Sequence, residues 1–156
     1  MNVKKYNPRK GGKSEYMVND ASLIFKNFSG QSGQYPGSRS VNVIIDEESA
    51  EKLSAEGLPV YIKDRDDGSK AYSVRLNTKI DKYPPTIECA LPNGDIIEID
   101  PEEIGSLDSL SLINVDVVWT YSYGSGKPVA YLSKIRYEVK PSLLSPDAAE
   151  YYEQEW

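Results

Sequence analysis

The chain of 156 residues contains no histidine and one cysteine, Cys89. Without histidine it lacks the commonest general base, and without a Cys/His cluster it lacks the usual zinc ligands. The single cysteine excludes an internal disulfide, and its alternation with Ile87 and Leu91 predicts a small core residue. The sequence therefore predicts no catalytic residue, no metal site and no cofactor.

Long apolar runs and phosphate-binding glycine motifs are also missing. No run approaches the roughly 18 residues of a membrane span, and the basic N-terminus lacks the apolar stretch of a secretory signal. Asp64, Asp66 and Asp67 resemble a calcium loop, but the remaining spaced oxygens and the distal glutamate are absent, which favours a charged hairpin turn. We therefore expect a cytoplasmic protein without membrane contact.

The net charge of −6 argues against nucleic-acid binding, but the charge is unevenly distributed. Residues 1–45 carry seven Lys or Arg and two acids, whereas residues 46–58 carry five acids and one Lys. The last twelve residues, 145–156, carry four acids and no base, and they end on a tryptophan. Because the acids are concentrated in one helix and a tail, the net charge does not argue strongly against nucleic-acid binding by the rest of the chain.

Composition divides the chain into three predicted parts. Residues 1–19 are basic and rich in polar residues, Gly and Pro, so we expect a flexible basic arm. Residues 20–140 form the domain, and residues 141–156 form an acidic tail. Such a tail either serves only as a solubilising segment or competes with nucleic acid and docks partner proteins.

Alternating apolar residues predict a mainly β domain with two short helices. The strands are expected over residues 21–28, 40–45, 58–62, 71–77, 86–91, 95–99, 112–123 and 129–139. One helix is capped by Asp46 and ends at Gly57, and a second starts at Asp100. Because βαβ alternation is absent, an antiparallel barrel or sandwich follows. Pro92-Asn93-Gly94 predicts a type I′ turn.

The two long final strands have predictable faces. In the first, one face carries Val115, Val117, Trp119, Tyr121 and Tyr123. In the second, the inner face carries Tyr131, Ile135, Tyr137 and Val139, which leaves Lys134 and Arg136 pointing outward.

Several segments together resemble the phage-encoded single-stranded DNA-binding proteins. They are Ile24-Phe-Lys-Asn-Phe-Ser-Gly30, Arg39-Ser-Val-Asn-Val-Ile-Ile-Asp46, Ala50 with Leu53, Gly57 with Val60, and Val74-Arg-Leu-Asn77 followed by Tyr83-Pro-Pro85. The resemblance covers about residues 21–139, and the acidic tail extends it. It implies an OB-fold, which is a partly open β-barrel that binds single strands across one face.

A groove for single strands needs cations for phosphates and flat rings for bases. The ring candidates are Tyr35, Tyr83, Trp119, Tyr121 and Tyr123, although Trp119 and Tyr121 could instead fill the barrel. The cation candidates are Lys26, Arg39, Arg75, Lys79, Lys82, Lys127, Lys134 and Arg136.

The expected function is non-catalytic binding and protection of single-stranded DNA, largely without sequence preference, in phage replication or recombination inside the host cell. Tyr151, Tyr152 and Trp156 would dock replication or recombination proteins. The alternative is a viral protein-interaction module, such as an inhibitor of a host protein, on the same barrel. A carboxylate-dependent nuclease or glycosidase is disfavoured because nothing marks paired acids. The sequence leaves self-association open.

Overall fold

The computed structural model describes residues 1–6, 13–31, 38–124 and 126–140. These residues form ten strands, one α-helix (α1, Glu47–Ala55) and one 3₁₀ helix (Pro101–Ser109). The strands are β1 (Val3–Tyr6), β2 (Glu15–Ala21), β3 (Leu23–Asn27), β4 (Arg39–Ile45), β5 (Tyr61–Asp64), β6 (Lys70–Thr78), β7 (Thr86–Ala90), β8 (Ile96–Ile99), β9 (Leu112–Ser122) and β10 (Val129–Val139). The predicted class, mainly β with two short helices, is confirmed.

All ten strands belong to one sheet with the order β1-β2-β9-β10-β6-β4-β3. β5 lies off this path and pairs with β6, and the β7–β8 hairpin also lies off it and pairs with β10. The sheet is mixed rather than wholly antiparallel, because β10 runs parallel to both β6 and β7. The strand order could not be read from local patterns, since both parallel pairings join strands that are distant in sequence.

The sheet curls so that its β1 end reaches the junction between β4 and α1. Asn2 Nδ2 donates to the Ile44 carbonyl at 3.3 Å, and the Asp46 amide donates to Asn2 Oδ1 at 3.0 Å. The Val3 amide donates to Ser49 Oγ at 3.1 Å. No strand pairing links β1 to β3 in the described part of the chain, so the result is a partly open, OB-like barrel rather than a closed one.

The N-terminal segment corrects the prediction of a flexible arm over residues 1–19. Its described residues form β1 and β2, an antiparallel hairpin that pairs with β9. Val3, Tyr16 and Val18 are buried in the core. Their burial stabilises the hairpin in spite of its lysines, which remain on exposed positions.

The predicted hairpin at residues 92–94 is present, but its turn type differs. Only Gly94 has a positive φ, 93°, whereas a type I′ turn needs two such residues. Gly94 N donates to the Leu91 carbonyl at 2.9 Å, and Leu91 N donates to the Asp95 carbonyl at 2.7 Å. Because Pro92 holds a negative φ, this three-residue loop is a type I turn followed by a left-handed glycine. The Asp64-Arg-Asp-Asp-Gly68 stretch forms the other predicted hairpin turn with the same bonding pattern.

The core lies on the concave side of the sheet. Val115 and Val117 of β9 are buried together with Trp119, and Cys89 is a buried core residue as predicted. In β10 the prediction for Tyr131 is wrong, because a bulge at Ser133 shifts the alternation. Ala130 and Leu132 therefore face the core before the bulge, Ile135 and Tyr137 after it, and Tyr131 faces outward with Lys134 and Arg136. None of the described helices is long and apolar enough to cross a membrane.

Asp46 joins the two ends of the curled sheet. One oxygen accepts from the Ser49 amide at 2.8 Å as the cap of α1, and the other accepts from the Asn2 amide at 2.8 Å and lies 3.3 Å from the terminal ammonium of Met1. Partial burial opposes ionisation, but these hydrogen bonds prevail and lower the pKa of Asp46 to about 2.

We expect Asp46→Ala to lower the free energy of unfolding at pH 7 by about 1 kcal/mol or more, because the helix cap and the link to β1 are both lost. The pKa of Asp46 is lower in the folded protein than in the unfolded chain. The ionised carboxylate therefore contributes its full stabilisation above the unfolded pKa near 4, and this contribution is lost as the pH falls through the folded pKa of about 2. Denaturant titrations of both proteins between pH 7 and pH 2 should therefore converge at low pH. Glu51→Ala, on an exposed position of α1, is the control. An undiminished difference at pH 2 would contradict this account.

Candidate nucleic-acid interface

The outer face of β4 and β6 forms the floor of a trough that β3 and β5 flank. Core residues alternate inward along both strands, which leaves Ser40 and Asn42 of β4 and Ser73 and Arg75 of β6 on the floor. Asn42 pairs with Arg75 across the ladder, and Asn42 Nδ2 donates to Ser73 Oγ at 3.0 Å. This first trough encloses about 540 Å³, which is within the range of ligand-binding clefts.

Phe25 projects from β3 over one side of the first trough, and 60% of its surface is exposed. Its φ of 52° is left-handed, which costs about 1–2 kcal/mol for a residue with a Cβ. The β3–β4 register shifts between Ile24 and Asn27, so Phe25 lies in a bulge that turns its ring away from the core. Backbone strain is concentrated at functional sites, which makes Phe25 a candidate for contact with a ligand.

The β5 strand forms the opposite side of the first trough. Tyr61, Ile62 and Lys63 are all exposed, and the Lys63 ammonium lies 5.4 Å from the centre of the Phe25 ring. A side chain from β5 therefore spans the trough to reach β3. The residues that line the trough and are charged at neutral pH are all basic, namely Lys26, Lys63 and Arg75.

Lys26 has a structural role in addition to lining the trough. Its ammonium donates to the Leu107 carbonyl at 3.1 Å and to the Leu110 carbonyl at 2.7 Å, at the end of the 3₁₀ helix. Two of its three protons are thus used within the fold. Arg75 is the floor cation best placed for a phosphate, because its paired residue is the neutral Asn42.

A second trough of about 740 Å³ continues from the first. Its basic lining residues are Arg39, Lys79 and Lys82, with Asp81 as the acid. The ring of Tyr131 lies on its surface, 5.7 Å from the Lys79 ammonium and 5.9 Å from the ring of exposed Tyr83. Arg39 Nη1 also donates to the Phe28 carbonyl at 2.9 Å, which fixes the guanidinium near the strand end.

The two troughs meet at one row of the sheet. Ser40 pairs with Asn77, and Asn77 pairs with Tyr131 of β10, so this row joins β4, β6 and β10. The Ser40 side chain lines the first trough, and Asn77 and Tyr131 line the second. The result is one surface with rings and cations along its length, which we call the two-trough face.

Trp119 and Tyr121 correct the predicted set of stacking rings. Trp119 is 0% exposed and Tyr121 is 4% exposed, because both point into the core from β9. Tyr16 stacks on Trp119 at 5.9 Å and meets Tyr121 edge to face at 5.0 Å. Burial raises the pKa of the Tyr121 phenol. Neither ring can reach a base in this structure.

Three further predicted residues have other surroundings: Tyr123 lies away from the two-trough face, and Lys134 and Arg136 form salt bridges with an acid. Tyr123 is 62% exposed but lies in a cleft with Lys5, Lys13 and Tyr16, on the side of the N-terminal hairpin. Lys134 and Arg136 are 3.2 and 2.8 Å from Glu88. Hydrogen bonds from these two bases, that of Arg136 foremost, lower the pKa of Glu88.

The remaining candidates divide into placed and undescribed residues. Arg39, Arg75, Lys79 and Tyr83 are brought to the two-trough face together with Lys26 and Lys82. Lys127 is exposed in the β9–β10 loop. Four predicted residues lie outside the described part of the chain: Tyr35, Tyr151, Tyr152 and Trp156.

Sequence reasoning missed four contributors to this face, namely Phe25, Tyr61, Lys63 and Tyr131. Phe25 and Tyr131 were missed because of bulges, one at Phe25 and one after Leu132. A bulge reverses the side of the sheet to which a strand residue points, and a single sequence gives no signal of it. Tyr61 and Lys63 belong to a strand with every residue exposed, so apolar periodicity could not indicate their side.

The two-trough face can hold a flexible polyanion that carries flat groups. Phe25, Tyr61, Tyr83 and Tyr131 offer rings, and neighbouring cations can neutralise phosphates. Among the described residues there is no cluster of three His, Cys, Asp or Glu side chains that could hold a metal ion.

Comparison with known proteins gives three results. No curated protein sequence matches the chain. Solved structures that resemble it include the single-stranded DNA-binding protein from bacteriophage Enc34, at 14% identity and a TM-score of 0.46 over 90% of this chain and 91% of that one. The C-terminal truncation of that protein and its complex with ssDNA each show 15% identity and a TM-score of 0.44, over 81% of this chain and 86% of theirs.

The third result is a family-model match over residues 4–125, to the family described as "Putative phage ssDNA-binding domain". The match starts within β1, so the N-terminal hairpin is part of the family domain. It covers well over half of the chain and confirms the resemblance that the sequence motifs indicated. The chain belongs to this family of phage single-stranded DNA-binding domains.

Proposed function

We propose that this protein binds single-stranded DNA along the two-trough face and protects it, largely without sequence preference, during phage DNA replication or recombination. Family membership supports the class of ligand. The observation that supports the location is the exposed Phe25 ring held in a left-handed bulge beside basic residues. The protein acts without catalysis, in the cytoplasm of the host cell.

Stacking and counterion release supply the affinity. Each stacked base contributes roughly 1–3 kcal/mol, and every base has a face that can stack, so binding tolerates any sequence. Arg75, Lys63, Lys79 and Lys82 neutralise phosphates, and the floor amides of Asn42 and Asn77 can bond to base edges or sugars. A duplex hides its base faces within the stack, so the rings cannot reach them.

Fluorescence anisotropy with labelled oligo(dT) should show binding that weakens as salt rises, and an unlabelled duplex should compete poorly. Arg75→Gln should lower the affinity and reduce the slope of log K against log salt by about one, because one phosphate contact is lost. Lys52→Gln, on α1, is the matched charge control. Equal affinity for duplex, or no binding at low salt, would leave the protein-interaction module as the better account.

The contribution of Phe25 to DNA affinity can be tested by comparing its removal with the removal of Tyr123, an aromatic residue of similar exposure. Phe25→Ala should weaken oligo(dT) binding about 10-fold, which corresponds to roughly 1.4 kcal/mol and to one lost stacking contact. Tyr123→Ala, 62% exposed beside 60% for Phe25 but outside the two-trough face, should leave affinity nearly unchanged. Thermal unfolding of both variants checks that neither change disturbs the fold. A larger loss for Tyr123→Ala would move the interface to the N-terminal side.

The acidic tail, which lies outside the described residues, is proposed to regulate binding and to dock replication or recombination proteins. Four tethered carboxylates in residues 145–156 can occupy the basic face at high effective concentration. Deleting these residues should tighten oligo(dT) binding at low salt, with a gain that shrinks as salt screens the tail. It should also abolish pull-down of partner proteins through Tyr151, Tyr152 and Trp156 without changing the melting temperature. Unchanged affinity and retained partners would identify an inert solubilising segment.

A further inference from the structure

The β8 strand is a sheet edge whose outer side has no partner among the described residues. It pairs with β7 alone, and Leu91 N donates to the Asp95 carbonyl to close that hairpin. Hydrogen-bonded pairs alternate along an antiparallel ladder, so Ile97 bonds into the hairpin. The backbone N–H and C=O groups of Ile96 and Glu98 therefore point away from β7, toward the open edge.

This open edge also exposes apolar side chains on both faces. Ile96 is 46% exposed and Ile97 is 43% exposed, although successive residues of a strand point to opposite sides. An edge strand with free backbone groups and exposed apolar residues is a template for another strand.

β8 lies in an acidic segment of the sequence, although two bases of β10 lie across β7 from it, beside Glu88. Residues 83–126 contain eight acids and no Lys or Arg. Three of the acids are engaged by other strands: Glu88 by bases of β10, Asp108 by amides after β3, and Asp116 by an amide of β2. The other five are exposed: Asp95, Glu98, Asp100, Glu102 and Glu103. This charge disfavours phosphates and also disfavours a second β8, so a strand that adds here must be basic.

The chain itself contains a basic edge strand. Residues 1–13 carry five Lys or Arg and no acid, and β1, which lies in this segment, pairs only with β2. The Val3 amide donates to Ser49 Oγ on the side away from β2, so α1 occupies that side at Val3, and by alternation the backbone groups of Lys5 face the same side further along β1. No described residue bonds to them. Tyr6, the next residue, is exposed.

We propose that copies of this protein associate head to tail, with the Lys5–Tyr6 end of β1 in one copy adding as an antiparallel strand to β8 of the next. Residues with outward-facing backbone groups must meet in such a ladder, so Lys5 lies opposite either Ile96 or Glu98. Opposite charge favours Glu98, which places Tyr6 opposite Ile97.

The first pair is of opposite charge, with the Lys5 ammonium shared between Glu98 of the next copy and Glu56 of its own chain, which lies 3.0 Å away. The second pair joins an aromatic ring to a β-branched side chain, and both kinds of pair stabilise neighbouring strands. Because β1 and β8 are different surfaces, each copy keeps one of them free after pairing, so the contact can continue from copy to copy as an array.

The contact is short, so it is weak between free copies in solution. Copies bound side by side on one DNA strand have a high effective concentration, which makes a weak contact sufficient for cooperative coating. This role rests on the proposed function, whereas the strand pairing itself needs no DNA.

Cysteine cross-linking tests the register. All cysteine variants are made in a Cys89→Ala background, because Cys89 lies directly opposite position 97 in the β7–β8 ladder. Tyr6→Cys and Ile97→Cys should then form an intermolecular disulfide when the two variants are mixed and oxidised, because a non-hydrogen-bonded pair brings the Cα atoms to about 4.5 Å. The charges of Lys5 and Glu98 are retained in both. The matched control is Ile96→Cys, which is equally exposed on the same strand but points to the opposite face. We expect cross-linking with Ile97→Cys to be at least about 10-fold faster than with Ile96→Cys, and to slow on adding Glu98→Lys or salt.

A chain with both Tyr6→Cys and Ile97→Cys should give a ladder of multimers on a non-reducing gel, and the ladder should lengthen on a long oligo(dT). Equal rates for Ile96→Cys, or a dominant homodimer of Ile97→Cys alone, would overturn the proposed pairing. Concentrated protein without DNA should also give the ladder of disulfide-linked multimers, so the pairing can be tested separately from DNA binding. Failure of oligo(dT) binding would therefore sink the proposed function while leaving the pairing result intact.

Discussion

The antiparallel ladder between β4 and β6 is the constraint on which the rest of the molecule depends. Seven successive residue pairs, from Arg39 with Thr78 to Ile45 with Tyr72, fix which side chains face the core and which face the solvent. The inward-facing residues of this ladder form the centre of the core, namely Val41, Val43, Val74 and Leu76. The same pairing displays Asn42 and Arg75 on the other side, so a single register determines stability and the chemistry of the interface. A slip by one residue would exchange the two faces.

Local patterns predicted most of the elements because the relevant physics is local. Asp46 caps α1, Pro101 begins the 3₁₀ helix, and the faces of β6 and β9 follow simple alternation, all as the sequence indicated. The N-terminal hairpin was missed because Lys, Gly and Asn outweighed the few apolar residues that bury it. The parallel neighbours of β10 could not be predicted, since no local signal selects a partner that is distant in sequence.

The interface was predicted less well than the fold, and bulges explain the difference. The predicted residues Arg39, Arg75, Lys79 and Tyr83 lie on the two-trough face, because strand ends and outward positions are visible in the sequence. Phe25 and Tyr131 were missed because each lies where a bulge breaks the alternation, whereas Trp119 obeys the alternation and is buried. In this molecule the departures from regular strand geometry place rings where bases could reach them, so the most informative residues are those that periodicity assigns to the wrong side.

The contact between Lys63 and Phe25 has a consequence for the protein in the absence of DNA. A large apolar ring on a protein surface favours aggregation, and a protein that covers single-stranded DNA must reach high concentration without precipitating. An ammonium group at 5.4 Å from the ring centre keeps a hydrated charge over that ring. Two copies that approach through Phe25 would bring like charges together before their rings touched. Lys63 thus opposes association of two copies through Phe25, and under the proposed function the same ammonium would bind a phosphate.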